Sequence, residues 1–256
     1  MKKFLTVLIL FLVAFSAFSQ DSTKVAKPVK RMGPSPEAVK RRNDLDKKFA
    51  NYSRDHIVLD LNLANWIYNT SDPAMNGMRT KWFSRGFNIA FNWDFRIKGS
   101  RVSVAPGIGY SNYTIYNRSK MTQDSSGIHF APLPSYNGDT ISKINSITLQ
   151  YLEIPVELRI RSNPDKSGNC VKVAIGVKAG ARIDVHTRIK LEENGKSQVY
   201  IVRRFSDFSA FRFGPTIRVG YSFFNVTAYY GVLGMFKPGF GAPAHEFSVG
   251  ISFMAL

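Results

Sequence analysis

Phe87-Asn88-Ile89-Ala90-Phe91-Asn92-Trp93-Asp94-Phe95-Arg96-Ile97-Lys98 alternates without a break, with Phe87, Ile89, Phe91, Trp93, Phe95 and Ile97 on one parity and mainly polar residues on the other. Successive side chains of a strand point to opposite faces, so this ribbon has one greasy face and one charged face. The pattern recurs downstream. Eight strands are predicted at about 57–67, 83–98, 101–116, 147–161, 170–186, 205–220, 222–233 and 245–254. On the fourth, Ile147, Leu149 and Tyr151 lie on the opposite parity to Leu152, Ile154, Val156, Leu158 and Ile160, which predicts a bulge near Tyr151–Leu152.

Lys2 and Lys3 precede an apolar run from Phe4 to Phe15 and a small-residue site at Ala17-Phe18-Ser19, the pattern of a secretory signal peptide over residues 1–19. No later stretch approaches the roughly 20 apolar residues of a membrane-spanning helix. An exported chain of amphipathic strands reads as all-β: an eight-stranded antiparallel up-and-down transmembrane β-barrel over residues 56–256, in an outer membrane, with a basic N-terminal tail. Connections two, four and six are short and the others longer. Outer-membrane barrels keep their short turns in the periplasm, which places the tail and the C-terminus there. The longest outer loop, about Asn117–Asn145, is rich in Ser, Asp, Asn and Gly and reads as mobile.

Removing Lys2 and Lys3 takes the formal charge from +17 to +15. Residues 20–55 lack alternation, contain Pro28, Pro34 and Pro36, and carry ten Lys or Arg against five acids. Ser35-Pro36-Glu37 is a helix start. A short basic helix to about Ala50 would present Lys40, Arg41, Arg42, Leu45, Lys47, Lys48 and Phe49 as a docking element. Export argues against nucleic acid; outer-membrane lipid, lipopolysaccharide phosphates and other envelope proteins, including secretion or barrel-assembly machinery, are the expected partners.

The inward face is charged. Asp60, Asp94, Glu153, Glu157 and Asp184 oppose Arg96, Lys98, Arg159, Arg161, Lys172, Lys178, Arg182, Arg212 and Arg218, and an eight-stranded lumen is only wide enough for side chains to fill. These residues are expected to interlock as an ion-pair network. The cationic surplus leaves an anion-preferring narrow channel as the alternative. Asp184, His186, Asp207, His245 and Glu246 map near the outer rim and allow a hydrolase, a weaker reading because no nucleophile, base and orienting group converge by spacing. No cofactor or metal is expected, since the four histidines lack ligand spacing and Cys170 stands alone. Trp66, Tyr68, Trp82, Tyr113, Tyr116, Tyr151 and Tyr221 fit interfacial girdles.

The segments Tyr151-Leu152-Glu153-Ile154-Pro155-Val156-Glu157-Leu158, Gly176-Val177-Lys178-Ala179-Gly180, Phe211-Arg212-Phe213-Gly214-Pro215, Val219-Gly220-Tyr221, Tyr229-Tyr230-Gly231-Val232, Phe236-Lys237-Pro238-Gly239 and Phe247-Ser248-Val249-Gly250 resemble the PorT-like outer-membrane β-barrel family of Bacteroidota-type envelopes. The resemblance covers about the last two hundred residues. It implies a small barrel and, through the family's namesake, a link to type IX protein secretion. A non-enzymatic docking component of an envelope assembly is the expectation that follows.

Overall fold

A computed structural model describes residues 34–50, 55–69, 71–72, 75, 78–125, 127–132, 141–164, 169–193, 196–203 and 205–255. The signal-peptide reading of residues 1–19 and the tail up to residue 33 lie outside the described residues, as do 51–54. Helix α1 (Pro36–Ala50) starts at Ser35, whose side-chain oxygen accepts from the Ala38 backbone N–H at 3.2 Å.

Twelve strands follow: β1 (Ile57–Tyr68), β2 (Arg85–Asn92), β3 (Phe95–Arg96), β4 (Val102–Tyr116), β5 (Ser119–Asp124), β6 (Gly127–Pro132), β7 (Ile141–Arg161), β8 (Val171–Glu193), β9 (Lys196–Arg203), β10 (Phe211–Tyr221), β11 (Phe224–Tyr230) and β12 (Ala244–Ala255). Eight staves close an antiparallel barrel in the order β1, β2 with β3, β4, β7, β8, β10, β11, β12, and β12 pairs back onto β1. Closure leaves no bare edge in the apolar layer. Ile57 pairs with Ala255, so β1 begins and β12 finishes at one end of the barrel, here the tail end. The other is the loop end.

The second stave is interrupted at Trp93–Asp94 although its register on β4 continues through the gap. Trp93 donates to the Pro106 carbonyl at 2.7 Å, but Pro106 has no N–H to return the bond. Outward positions such as Leu61, Phe87, Ile89, Ile108, Leu152, Ile154, Ile175, Ile217, Val226 and Ile251 are exposed and apolar, as a lipid-facing belt requires.

The bulge belongs to the partner strand. On β7, burial alternates unbroken from Tyr151 to Arg161, while the ladder slips where Gln150 faces Asp184 and Tyr151 faces Arg182. Ile183 on β8 is the extra residue, and it exchanges the faces of everything after it: Lys172, Ala174 and Lys178 are buried before it, Val185 and Thr187 after it. The parity change among the β7 hydrophobics marks instead a change of lumen chemistry. Ile147, Leu149 and Tyr151 face inward into an apolar cluster with Trp66, Tyr113, Ile115, Phe208 and Phe236.

That cluster closes the loop end. Met75 and Met78 from the first long connection, Met121, Ile128 and Phe130 from the β5–β6 hairpin, Phe205 and Phe208 from the fifth, and Met235 and Phe236 from the seventh all join it. Trp66 lies between Phe130, Phe208 and Phe236, with ring centroids 5.8–6.4 Å away. Two expectations are corrected here. Much of the connection expected to be mobile is a hairpin held by its apolar face, and Trp66, Tyr113 and Tyr151 are buried inside the barrel and do not belong to a girdle. Trp82 and Tyr221 remain exposed.

Neighbouring staves pack closely over inward glycines. A Cβ on Gly214 would collide with the Tyr230 carbonyl oxygen and crowd the Tyr229 ring. Replacing Gly214 with Val is therefore expected to block closure between β10 and β11, read as loss of the fast-migrating folded band in unheated electrophoresis; a normal folded band would refute this.

Candidate functional site

The lumen carries the chemistry of this chain in three tiers. In the tier nearest the loop end, Arg212 of β10 donates through Nη1 to both Glu246 oxygens at 3.0 Å and through Nη2 to the Tyr113 hydroxyl at 3.1 Å, and it also pairs with Glu153 of β7. Its guanidinium lies 4.4, 4.5 and 5.1 Å from the ring centroids of Tyr151, Tyr113 and Tyr229. Three rings and two carboxylates thus surround one cation. Glu153 accepts a further bond from the Ser111 hydroxyl.

Arg218 of β10 is the centre of the middle tier. Its Nη2 reaches both Asp60 oxygens of β1 at 3.0 and 3.1 Å, and its Nη1 donates to Glu157 of β7. Only 2% of that side chain is exposed, so the interaction is not screened by solvent. Lys178 adds a second cation 3.7 Å from Asp60. Arg159 joins this tier to the next: its Nε donates to Glu157 at 2.9 Å, and its Nη1 donates to the Asp55 carbonyl at 2.7 Å and approaches Asp94 at 3.4 Å.

At the tail end, Asp55 enters the lumen ahead of β1 and accepts from Lys172 at 2.7 Å and from Arg161 at 3.1 Å. Arg161 also donates to the Ser103 hydroxyl at 2.6 Å and pairs with Asp94. The cavity bounded by Asp55, Arg159, Arg161, Lys172 and Arg218 measures about 10 Å³, room for one water at most.

Together the tiers hold six carboxylates (Asp55, Asp60, Asp94, Glu153, Glu157, Glu246) and six cations (Arg159, Arg161, Lys172, Lys178, Arg212, Arg218) among the described residues. Such matching is what a low-dielectric interior demands. With Asp55 and Glu246 included and Arg96 and Lys98 outside it, the cationic surplus read from the sequence shrinks to the inward Arg182. Arg96 points to the tail end, where it donates to Asp46 of α1 at 3.1 Å and to the Leu45 carbonyl at 3.2 Å. Lys98 is exposed. Arg182 stacks over Phe208 at 6.0 Å, and Asp184, carried past the Ile183 bulge onto the other face, accepts from or donates to His186 Nδ1 at 2.7 Å depending on which of them holds the proton.

Two acids complete the count. Asp55 stands before the first alternating residue and gives no strand signal. Glu246 lies on the inward parity of β12 with Ser248 and Ser252, a position the sequence reading assigned to the rim.

At the tail end, Asp46 also accepts from the Gly99 backbone N–H at 2.9 Å, in the β3–β4 turn where Gly99 has φ +71°. Lys40, Arg41, Arg42 and Lys47 are exposed. The side chains of Lys48 and Phe49 lie outside the described set. Among the described residues, no group of His, Cys, Asp and Glu could hold a metal ion, and Cys170 is buried.

The chain belongs to the family of outer membrane protein β-barrel domains, whose model matches residues 51–237. Among solved structures it is similar to Ail, the attachment invasion locus protein of Yersinia pestis, solved with the heparin analogue sucrose octasulfate, at 12% identity and TM-score 0.31 over 78% of this chain and 96% of that one. It is also similar to outer membrane phospholipase A from Escherichia coli, at 12% identity and TM-score 0.23 over 80% of this chain and 98% of that one. No curated protein matches it.

Arg218→Met removes the shared partner between two buried carboxylates, leaving each with one remaining cation, and is expected to cost about 3–5 kcal/mol of unfolding free energy. Adding Asp60→Asn and Glu157→Gln should recover much of that loss. Urea midpoints of the folded barrel in detergent measure both; an unshifted midpoint for Arg218→Met would discard the central role of this side chain.

Proposed function

We propose that this protein is a non-conducting, non-enzymatic outer-membrane barrel that serves as a docking component of a cell-envelope assembly, with its tail and C-terminus in the periplasm. The observation that carries the reading is the filled lumen. A charge-paired network with only a small cavity of about 10 Å³ beside Asp55 and Arg161, capped by an aromatic cluster, supports a structural interior and leaves recognition to the ends.

At the tail end, α1 spends Asp46 on Arg96 and the Gly99 N–H while Lys40, Arg41, Arg42 and Lys47 stay exposed. A helix anchored by its acid and presenting its bases suits an acidic protein surface. The PorT-like resemblance of the barrel motifs favours protein secretion as the setting. Across the ladder from the Asp184–His186 pair, Thr148 has its hydroxyl engaged 3.2 Å from Thr114 Oγ1, which favours the non-enzymatic reading over the rim hydrolase. Lipid and lipopolysaccharide are the surroundings expected of the exposed apolar belt.

Planar-bilayer recording of the purified protein is expected to show no steady current, and a sustained anion-preferring conductance would replace this reading with the channel. Pull-downs from detergent-solubilised membranes are expected to lose partners when Lys40, Arg41, Arg42 and Lys47 are all changed to Glu. Identical partner sets would remove the tail helix from the docking surface.

A further inference from the structure

Above the apolar belt at the loop end, β8 continues past Ile183 and turns back as β9, which pairs through all eight residues with His186–Glu193. β9 has no second neighbour among the described strands. Its central residues Val199, Tyr200, Ile201 and Val202 are 47–52% exposed, and because side chains alternate, apolar surface is bare on both faces of the ribbon.

Lipid does not account for this exposure. On the outward face of β8 at the same level stand Asp184, His186, Arg188 and Lys190, so this part of the hairpin lies beyond the hydrocarbon layer. Nor does β9 show the devices that blunt a natural edge: between Lys196 and Arg203 there is no proline, bulge or charge. Four consecutive β-branched or aromatic residues with one edge that no described strand pairs, beyond the lipid layer, form a template for strand addition.

We propose that β9 is completed by an extended segment of a partner protein that adds antiparallel to its free edge, with apolar residues at its centre and acidic residues at its ends. The charges choose this occupant. Lys196 and Arg203 close the two ends of β9, and the outward face beside it adds His186, Arg188 and Lys190, against Asp184 bonded to His186 and the Glu192–Glu193 pair at the hairpin turn. A second copy of this chain pairing through all eight residues would set Lys196 against Arg203 twice, and directly opposed like charges destabilise a ladder. An added strand with Asp or Glu at both ends turns those two positions into attractive cross-strand pairs. This surface is separate from the tail helix and does not depend on it.

The test uses full-length protein in lipid nanodiscs and a fluorescent eight-residue peptide of alternating Val and Thr between two terminal Asp residues. Saturable binding is expected, with hydrogen-exchange protection gained by β9 amides. Exchanging the terminal Asp for Lys should weaken binding about tenfold, and a central Pro should abolish it. The variant Val199→Lys with Ile201→Lys, shown to be folded by its electrophoretic mobility, should also fail to bind. Absence of binding, equal affinity for the Lys-ended or Pro-containing peptide, or protection appearing elsewhere would overturn the proposal. So would concentration-dependent dimerisation that protects β9 without peptide.

Discussion

Twelve acidic and basic side chains share the barrel lumen, and six of the eight staves contribute to pairing them. Arg218 shows the constraint most clearly, because a guanidinium offers donors in a planar fork and here both branches end on carboxylates from other staves, Asp60 on β1 and Glu157 on β7. Burying such a group costs far more than a surface pair returns, so the network is no surplus of stability. It is the condition under which these strands can close at all.

The two ends of the lumen meet that condition differently. Toward the loop end the charges give way to Tyr113, Tyr151 and Tyr229 packed around Arg212, and then to an aromatic and methionine cluster drawn from all four long connections. Toward the tail end, Asp55 supplies a carboxylate to Arg161 and Lys172 from outside the strands. Polar pairing fills the middle where staves alone face one another, and apolar packing takes over where loops can fold inward.

Besides the lipid belt, two surfaces are the proposed docking sites. The tail helix offers bases on an anchored backbone, and β9 offers hydrogen-bonding edge and apolar faces. The proposed partners differ accordingly, a folded acidic surface for the helix and an extended chain for β9.

Alternation from Phe87 to Lys98 and its recurrences were sufficient, from the sequence alone, to set the number of staves, their outward faces and the inward acids and bases such as Asp60, Glu153, Glu157, Arg212 and Arg218, because a period of two is a local property of extended backbone. Parity counted along a strand cannot report a residue inserted within it, so Asp184 reads as a lumen residue although Ile183, immediately before it on β8, turns it to the other face. It equally cannot tell whether an inward aromatic meets water or other loops, and Trp66, Tyr113 and Tyr151 were settled only by the long connections that fold onto them. Which acid meets which base, the entry of Asp55, the turning of Arg96 to Asp46 and the bare edge of β9 depend on residues far apart in the chain being brought together or left apart. Only the closed barrel decided those.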